Sequence, residues 1–143
     1  MRLFVMTASI AGFALCAMRF ANEALAVQDT PTNINGIEAV CTGVGSAKDD
    51  TRWRDYPVKV VLATAGGANL ANAHLSLERG GKELAGLDCD APWILFKLPA
   101  GSYTANATLI GGSGSARSSN FTTKGSGPQK EITITFSRPP SGQ

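Results

Sequence analysis

Several kinds of chemistry are excluded by what the chain has little of. Histidine occurs once, at His74, and cysteine three times without a C-x-x-C pair. A structural zinc site needs four such ligands at set spacing, so no metal site of that kind is expected. No D-x-D-x-D-G loop is present, so Asp49, Asp50, Asp88 and Asp90 are expected to be solvated loop acids and not a calcium site. Gly43-Val44-Gly45-Ser46-Ala47-Lys48 lacks the G-x-x-x-x-G-K-[ST] spacing of a phosphate loop, and Asp49 and Asp50 stand where an anion would be repelled. A surplus of one charge is also missing. Lys and Arg total 13 against 11 Asp and Glu, a net charge of +2, and the basic residues are scattered singly, without the stripe that nucleic-acid binding requires. No long stretch carries a helical period. What remains is 143 residues, 43% hydrophobic with 16 glycines, enough for one domain with a real core. No cofactor is expected.

The first 26 residues read as an export signal. Met1-Arg2 is a short basic start, Leu3 to Met18 an apolar run, and Ala24-Leu25-Ala26 the small-x-small pattern after which a signal peptidase cuts. Sixteen residues fall short of the roughly 20 that span a bilayer, so no membrane span is expected in a mature chain starting at Val27. Lipidation at Cys16 is disfavoured by the large Leu15 before it. Periplasmic or secreted location follows. Cleavage leaves Cys41 and Cys89, an even pair whose simplest reading in an exported chain is a disulfide, with two free buried thiols as the alternative. Closing a loop of that size would stabilise the fold by about 4 kcal/mol in the chain-entropy account.

Four parts are expected: the signal over 1–26, a loose leader over 27–35, a β domain over 36–137 and a disordered tail over 138–143. GIEAVCTGV alternates Ile37, Ala39 and Cys41 against Glu38, Val40 and Thr42, as a strand that carries its cysteine inward does. Ser46 and Asp49 have capping-box spacing, which predicts a short helical turn near 46–55 anchored by Trp53 and stopped by Pro57. VKVVLAT, residues 58–64, is the most β-branched run and is expected to be a central strand. AHLSLER and KELAGL flank Gly80-Gly81, which can take the positive φ of a tight hairpin. The stretch DAPWILFKLPAGSYTANATL predicts another hairpin, turned at Pro99 and Gly101, with Trp93 in the core. Residues 118–124 and EITITF are expected to form a last strand pair. These add up to an all-β antiparallel sandwich of about seven strands.

GIEAVCTGVG with its polar turn, VKVVLAT, GANLANAHLSLERGGKEL and the Trp-led strand followed by Leu-Pro-x-Gly-x-Tyr resemble small exported bacterial proteins of the transthyretin-like, or carboxypeptidase-regulatory-like, class. The resemblance covers about half of the chain and implies a prealbumin- or Ig-like sandwich, standing alone and without established catalytic residues. Hydrolases on the larger transthyretin fold use a histidine-rich site, which His74 alone cannot supply. His74 is expected at the surface. Asn106 and Asn120 match the glycosylation sequon, an accidental match in a chain with a short bacterial-type signal.

Two functions stand from different classes. The first is a non-catalytic envelope accessory module that binds a protein or surface polymer through loops or a sheet edge, since open sandwiches leave edges that can accept a strand. The second is a carbohydrate- or small-ligand-binding domain using Trp53, the expected surface aromatic, and the Gly/Ser loops.

Overall fold

The computed structural model describes residues 24–25, 27–111 and 116–137. The expected export signal and the expected tail therefore lie outside the described residues, apart from Ala24 and Leu25. Among the described residues ten strands form two five-stranded sheets: β1 (Ala24–Leu25), β2 (Thr32–Ile34), β3 (Ile37–Thr42), β4 (Val58–Thr64), β5 (Ala73–Arg79), β6 (Lys82–Cys89), β7 (Trp93–Phe96), β8 (Gly101–Leu109), β9 (Arg117–Thr123) and β10 (Lys130–Phe136). One sheet has the order β1-β6-β5-β8-β9 and the other β10-β4-β7-β3-β2. We call them the first and the second sheet. All pairings are antiparallel except β1 with β6 and β10 with β4. The expected β-sandwich is thus the architecture found.

Alternation decides which side chains meet between the sheets. Leu75 and Leu77 of β5, Leu87 of β6, and Tyr103, Ala105 and Ala107 of β8 face Val58, Val60 and Leu62 of β4, Ile94 and Phe96 of β7, and Ile132 and Ile134 of β10 in one buried cluster. Cys41 of β3 and Cys89 of β6 belong to it. Their sulfurs are bonded, with the Cα atoms 5.7 Å apart, so the disulfide joins the two sheets through the core. The β5–β6 hairpin forms as expected: Arg79 opposes Lys82 across Gly80 and Gly81, whose φ values of 60° and 78° suit a two-residue turn. β4 is an interior strand between β10 and β7.

Other expectations need correction. Trp93–Phe96 and Gly101–Leu109 are not a hairpin. Both edges of β7 are taken, by β3 and β4, while β8 pairs with β5 and β9. The intervening residues 97–100 therefore arch from one sheet to the other, and the Tyr103 hydroxyl donates to the Pro99 carbonyl at 2.8 Å to hold the arch. Likewise β9 and β10 do not pair. β9 completes the first sheet, and β10 runs parallel to β4 over seven residue pairs, from Lys130↔Val58 to Phe136↔Thr64. Part of the expected leader is structured, since Thr32–Ile34 pairs with β3. The helical turn is two 3₁₀ turns, Gly45–Asp49 and Thr51–Asp55. No Ser46 capping box forms; Asp50 caps the second turn instead, accepting from the Arg52 amide at 2.9 Å.

Candidate functional site

The two 3₁₀ turns cover the outer face of the second sheet. Val40 of β3 and Leu95 of β7 point away from the main core and would lie bare without them. Trp53 and Tyr56 pack on these two residues as a separate buried cluster, the aromatic rings edge to face with centroids 6.0 Å apart. The Trp53 indole N–H donates to the Ala47 carbonyl at 2.7 Å, and the Gln129 amide nitrogen donates to the carbonyls of Trp53 and Tyr56 at 2.9 and 3.0 Å. The turns are thus stitched to the crossing between β9 and β10.

Trp53, expected as the surface aromatic, is only 4% exposed. Trp93, expected in the core, is half-buried on the outer face. The two tryptophans exchange roles because β7 is buried on both faces, so its alternation sends Ile94 and Phe96 to the main core and Trp93 and Leu95 outward. Gly43 makes room for Trp93. Its φ is +106°, and a Cβ there would lie 2.6 Å from the indole Cγ. A cleft of about 250 Å³ opens between the turns and the sheet, lined by Lys48, Asp49, Asp50, Trp53, Arg54, Lys59, Trp93, Leu95 and Gln129. The Lys59 ammonium stands 3.4 Å from the Trp93 ring centroid and 3.6 Å from the Glu131 carboxylate. The Arg52 guanidinium donates to the Asp50 carboxylate at 2.7 Å, and this hydrogen bond holds the Asp50 pKa below its ordinary value.

Among the described residues nothing covers the outer face of the first sheet. His74 lies there with Nδ1 2.6 Å from Asp88 Oδ1, a pairing the sequence concealed. With an unbroken two-residue hairpin, His74 would oppose Leu87. A bulge shifts the register between Leu77 and Glu78, so that His74 opposes Asp88. Next to this pair runs a ladder of hydroxyls and amides: Ser102 with Thr122 at 3.2 Å, Thr104 with Asn120 at 2.7 Å, and Ser118 with Asn106. Both sequon asparagines thus sit within strands of this face. Asp50 and Asp88 lie on opposite outer faces, so the structure does not gather the four aspartates in one site. Among the described residues no three His, Cys, Asp or Glu side chains are grouped to hold a metal ion.

The third feature is a sheet edge. Ala24 and Leu25 lie parallel on β6, opposite Leu87 and Asp88. Further along β6, the Asn35 amide donates to the Leu84 carbonyl at 3.2 Å, which satisfies the edge at the bulge. On this edge, Leu87 and Asp88 are the residues that carry a strand partner among the described residues. No helix among the described residues is long and apolar enough to cross a membrane.

No protein-family profile matches the chain, and no curated protein matches it. Among solved structures, the chain is similar to the 5-hydroxyisourate hydrolase of Klebsiella pneumoniae, with 17% identity and a TM-score of 0.39 over 59% of this chain and 86% of that one. A likeness of that size carries no argument about chemistry.

Proposed function

We propose that this protein is an exported, non-catalytic binding module of the cell envelope, of the transthyretin-like kind its sequence resembles, and that it takes an extended segment of a partner protein on the β6 edge. The observation that carries the reading is the parallel pairing of Ala24 and Leu25 with Leu87 and Asp88. An edge that holds two residues of strand there has backbone donors and acceptors oriented for more, and strand addition draws its affinity from those main-chain bonds. Cleavage after Ala26 takes Ala24 and Leu25 away with the signal and leaves the edge from Ala85 to Cys89 open. The disulfide between Cys41 and Cys89 is compatible with an oxidising compartment and anchors the end of β6 to the opposite sheet, so the edge is rigid where the partner docks. The carbohydrate reading based on Trp53 loses its platform, because that ring is buried.

The test is site-directed photocrosslinking in cells exporting the protein, with p-benzoylphenylalanine in place of Asp88, the outward-facing residue of β6 within the docking stretch, or of Thr32 on β2, an edge strand of the other sheet. A discrete protein adduct from position 88 and none from position 32 is the expected result. Equal labelling from both positions, or none from position 88, would remove the edge as the binding surface.

A further inference from the structure

The cleft beneath the 3₁₀ turns offers a different kind of recognition, independent of the β6 edge. Its polar groups are mostly donors. Arg52 already neutralises Asp50, and Lys59 lies beside Glu131, whereas Lys48 and Arg54 form no ion pair among the described residues. The Trp93 indole N–H also donates to no described residue. Two acceptors complete the wall: the Asp49 carboxylate, and Gln129, whose amide nitrogen is engaged by two backbone carbonyls while its oxygen has no described donor. An aromatic floor with two unpaired cations and a few hydroxyl acceptors matches a ligand that combines a carboxylate, hydroxyls and a flat apolar face.

We propose that this cleft binds an acidic saccharide, a uronic acid unit of a polysaccharide. Its carboxylate is met by Arg54 and Lys48, its hydroxyls by Asp49 and the Gln129 oxygen, and the apolar face of its pyranose ring lies over the Trp93 indole. Lys59 is the movable part. Its ammonium covers the indole at 3.4 Å, but Glu131 is already within 3.6 Å, and the flexible four-carbon stem lets Lys59 turn to that carboxylate as the sugar enters. The floor stays fixed meanwhile, because Gly43 lies against the indole on the sheet side and Gln129 holds the turns in place. A phosphate-rich polymer fits less well, since Asp49 lines the cleft together with Lys48 and Arg54 and would repel a multiply charged group.

The test titrates the mature protein with trigalacturonate, with maltotriose as a neutral control and inorganic phosphate as an anion control, following tryptophan fluorescence and heat. Trigalacturonate should bind saturably, with maltotriose at least about tenfold weaker, the loss expected when a charge-assisted hydrogen bond is missing. Arg54 is exposed, so Arg54→Gln should keep the thermal midpoint while weakening trigalacturonate by about tenfold. Trp93→Phe should abolish the fluorescence response while calorimetry still detects binding. The proposal is overturned if trigalacturonate does not saturate, if maltotriose binds equally, if phosphate competes as an equal, or if Arg54→Gln binds like the unaltered protein.

Discussion

The two outer faces of this sandwich are built to opposite rules. On the first sheet β8 alternates, sending Tyr103, Ala105 and Ala107 inward and Ser102, Thr104 and Asn106 outward, and among the described residues nothing covers that outer row. On the second sheet β7 is apolar on both sides, and the outward Leu95 has its own small core under Trp53 and Tyr56. An apolar residue on the outward side of a strand thus marks a cover, and the cover creates the cleft. A bare polar face presents groups that already bond one another along the sheet, whereas the covered face leaves Lys48, Arg54 and the Trp93 N–H without partners among the described residues.

Removing the cover should have the largest effect. Trp53→Ala takes a buried ring from between Val40, Leu95 and Tyr56 and should destabilise the fold by about 3–5 kcal/mol in denaturant unfolding. It should also expose backbone amides of residues 45–56 to exchange while the first sheet keeps its protection; a loss spread evenly over both sheets would break the distinction between the faces. The disulfide belongs to neither face and serves as a reference. Cys89→Ala should lower stability by about 2–4 kcal/mol, a loss matched by reductant on the unaltered protein.

A pH effect comes next. Burial first, and then the Glu38 carboxylate beside it, push the Tyr56 pKa up to about 12, against about 10 in an unfolded chain. Below pH about 10 the phenol is neutral in both states and contributes no pH dependence. Above it the unfolded chain releases its proton while the folded protein keeps it, so stability should fall as pH rises toward about 12. Unfolding curves at pH about 9 and about 11 should show a smaller fall in Tyr56→Phe than in the unaltered protein, and an identical fall would show that Tyr56 is not held neutral by the cover. The smallest effect belongs to the bare face. Asn120→Ala removes an acceptor for Thr104 in an exposed ladder and should change stability by no more than about 0.5 kcal/mol; a larger loss would mean that the ladder is structural.

These contrasts also explain what the sequence made legible. Local chemistry could be read: the two-glycine hairpin, the β-branched interior strand β4, the turns around Trp53 and the pairing of Cys41 with Cys89 each depend on nearby residues or on the parity of a cysteine count. What a pattern could not convey is which sheet a strand joins. Leu-Pro-Ala-Gly looks like a turn whether it closes a hairpin or arches between sheets, and the apolar character of both faces of Trp93–Phe96 was the available sign of the second. The tryptophans exchanged roles for the same reason, since period-two alternation says that Trp93 and Ile94 face opposite ways but not which way is in. His74 and Asp88 were hidden by a single bulged residue, and the parallel partner of β10 left no local signature at all.

On the proposed reading, β6 offers an edge to an extended segment, and residues 24 and 25 occupy it until the signal is cleaved. Hydrogen–deuterium exchange on two forms of the protein, one retaining the segment before Val27 and one beginning at Val27, tests it most directly. Faster exchange is expected at the amides of Leu87 to Cys89 in the shorter form, with β2, β4 and β8 unchanged. Equal exchange along β6 in the two forms would contradict it, because Ala24 and Leu25 would then not be covering that edge.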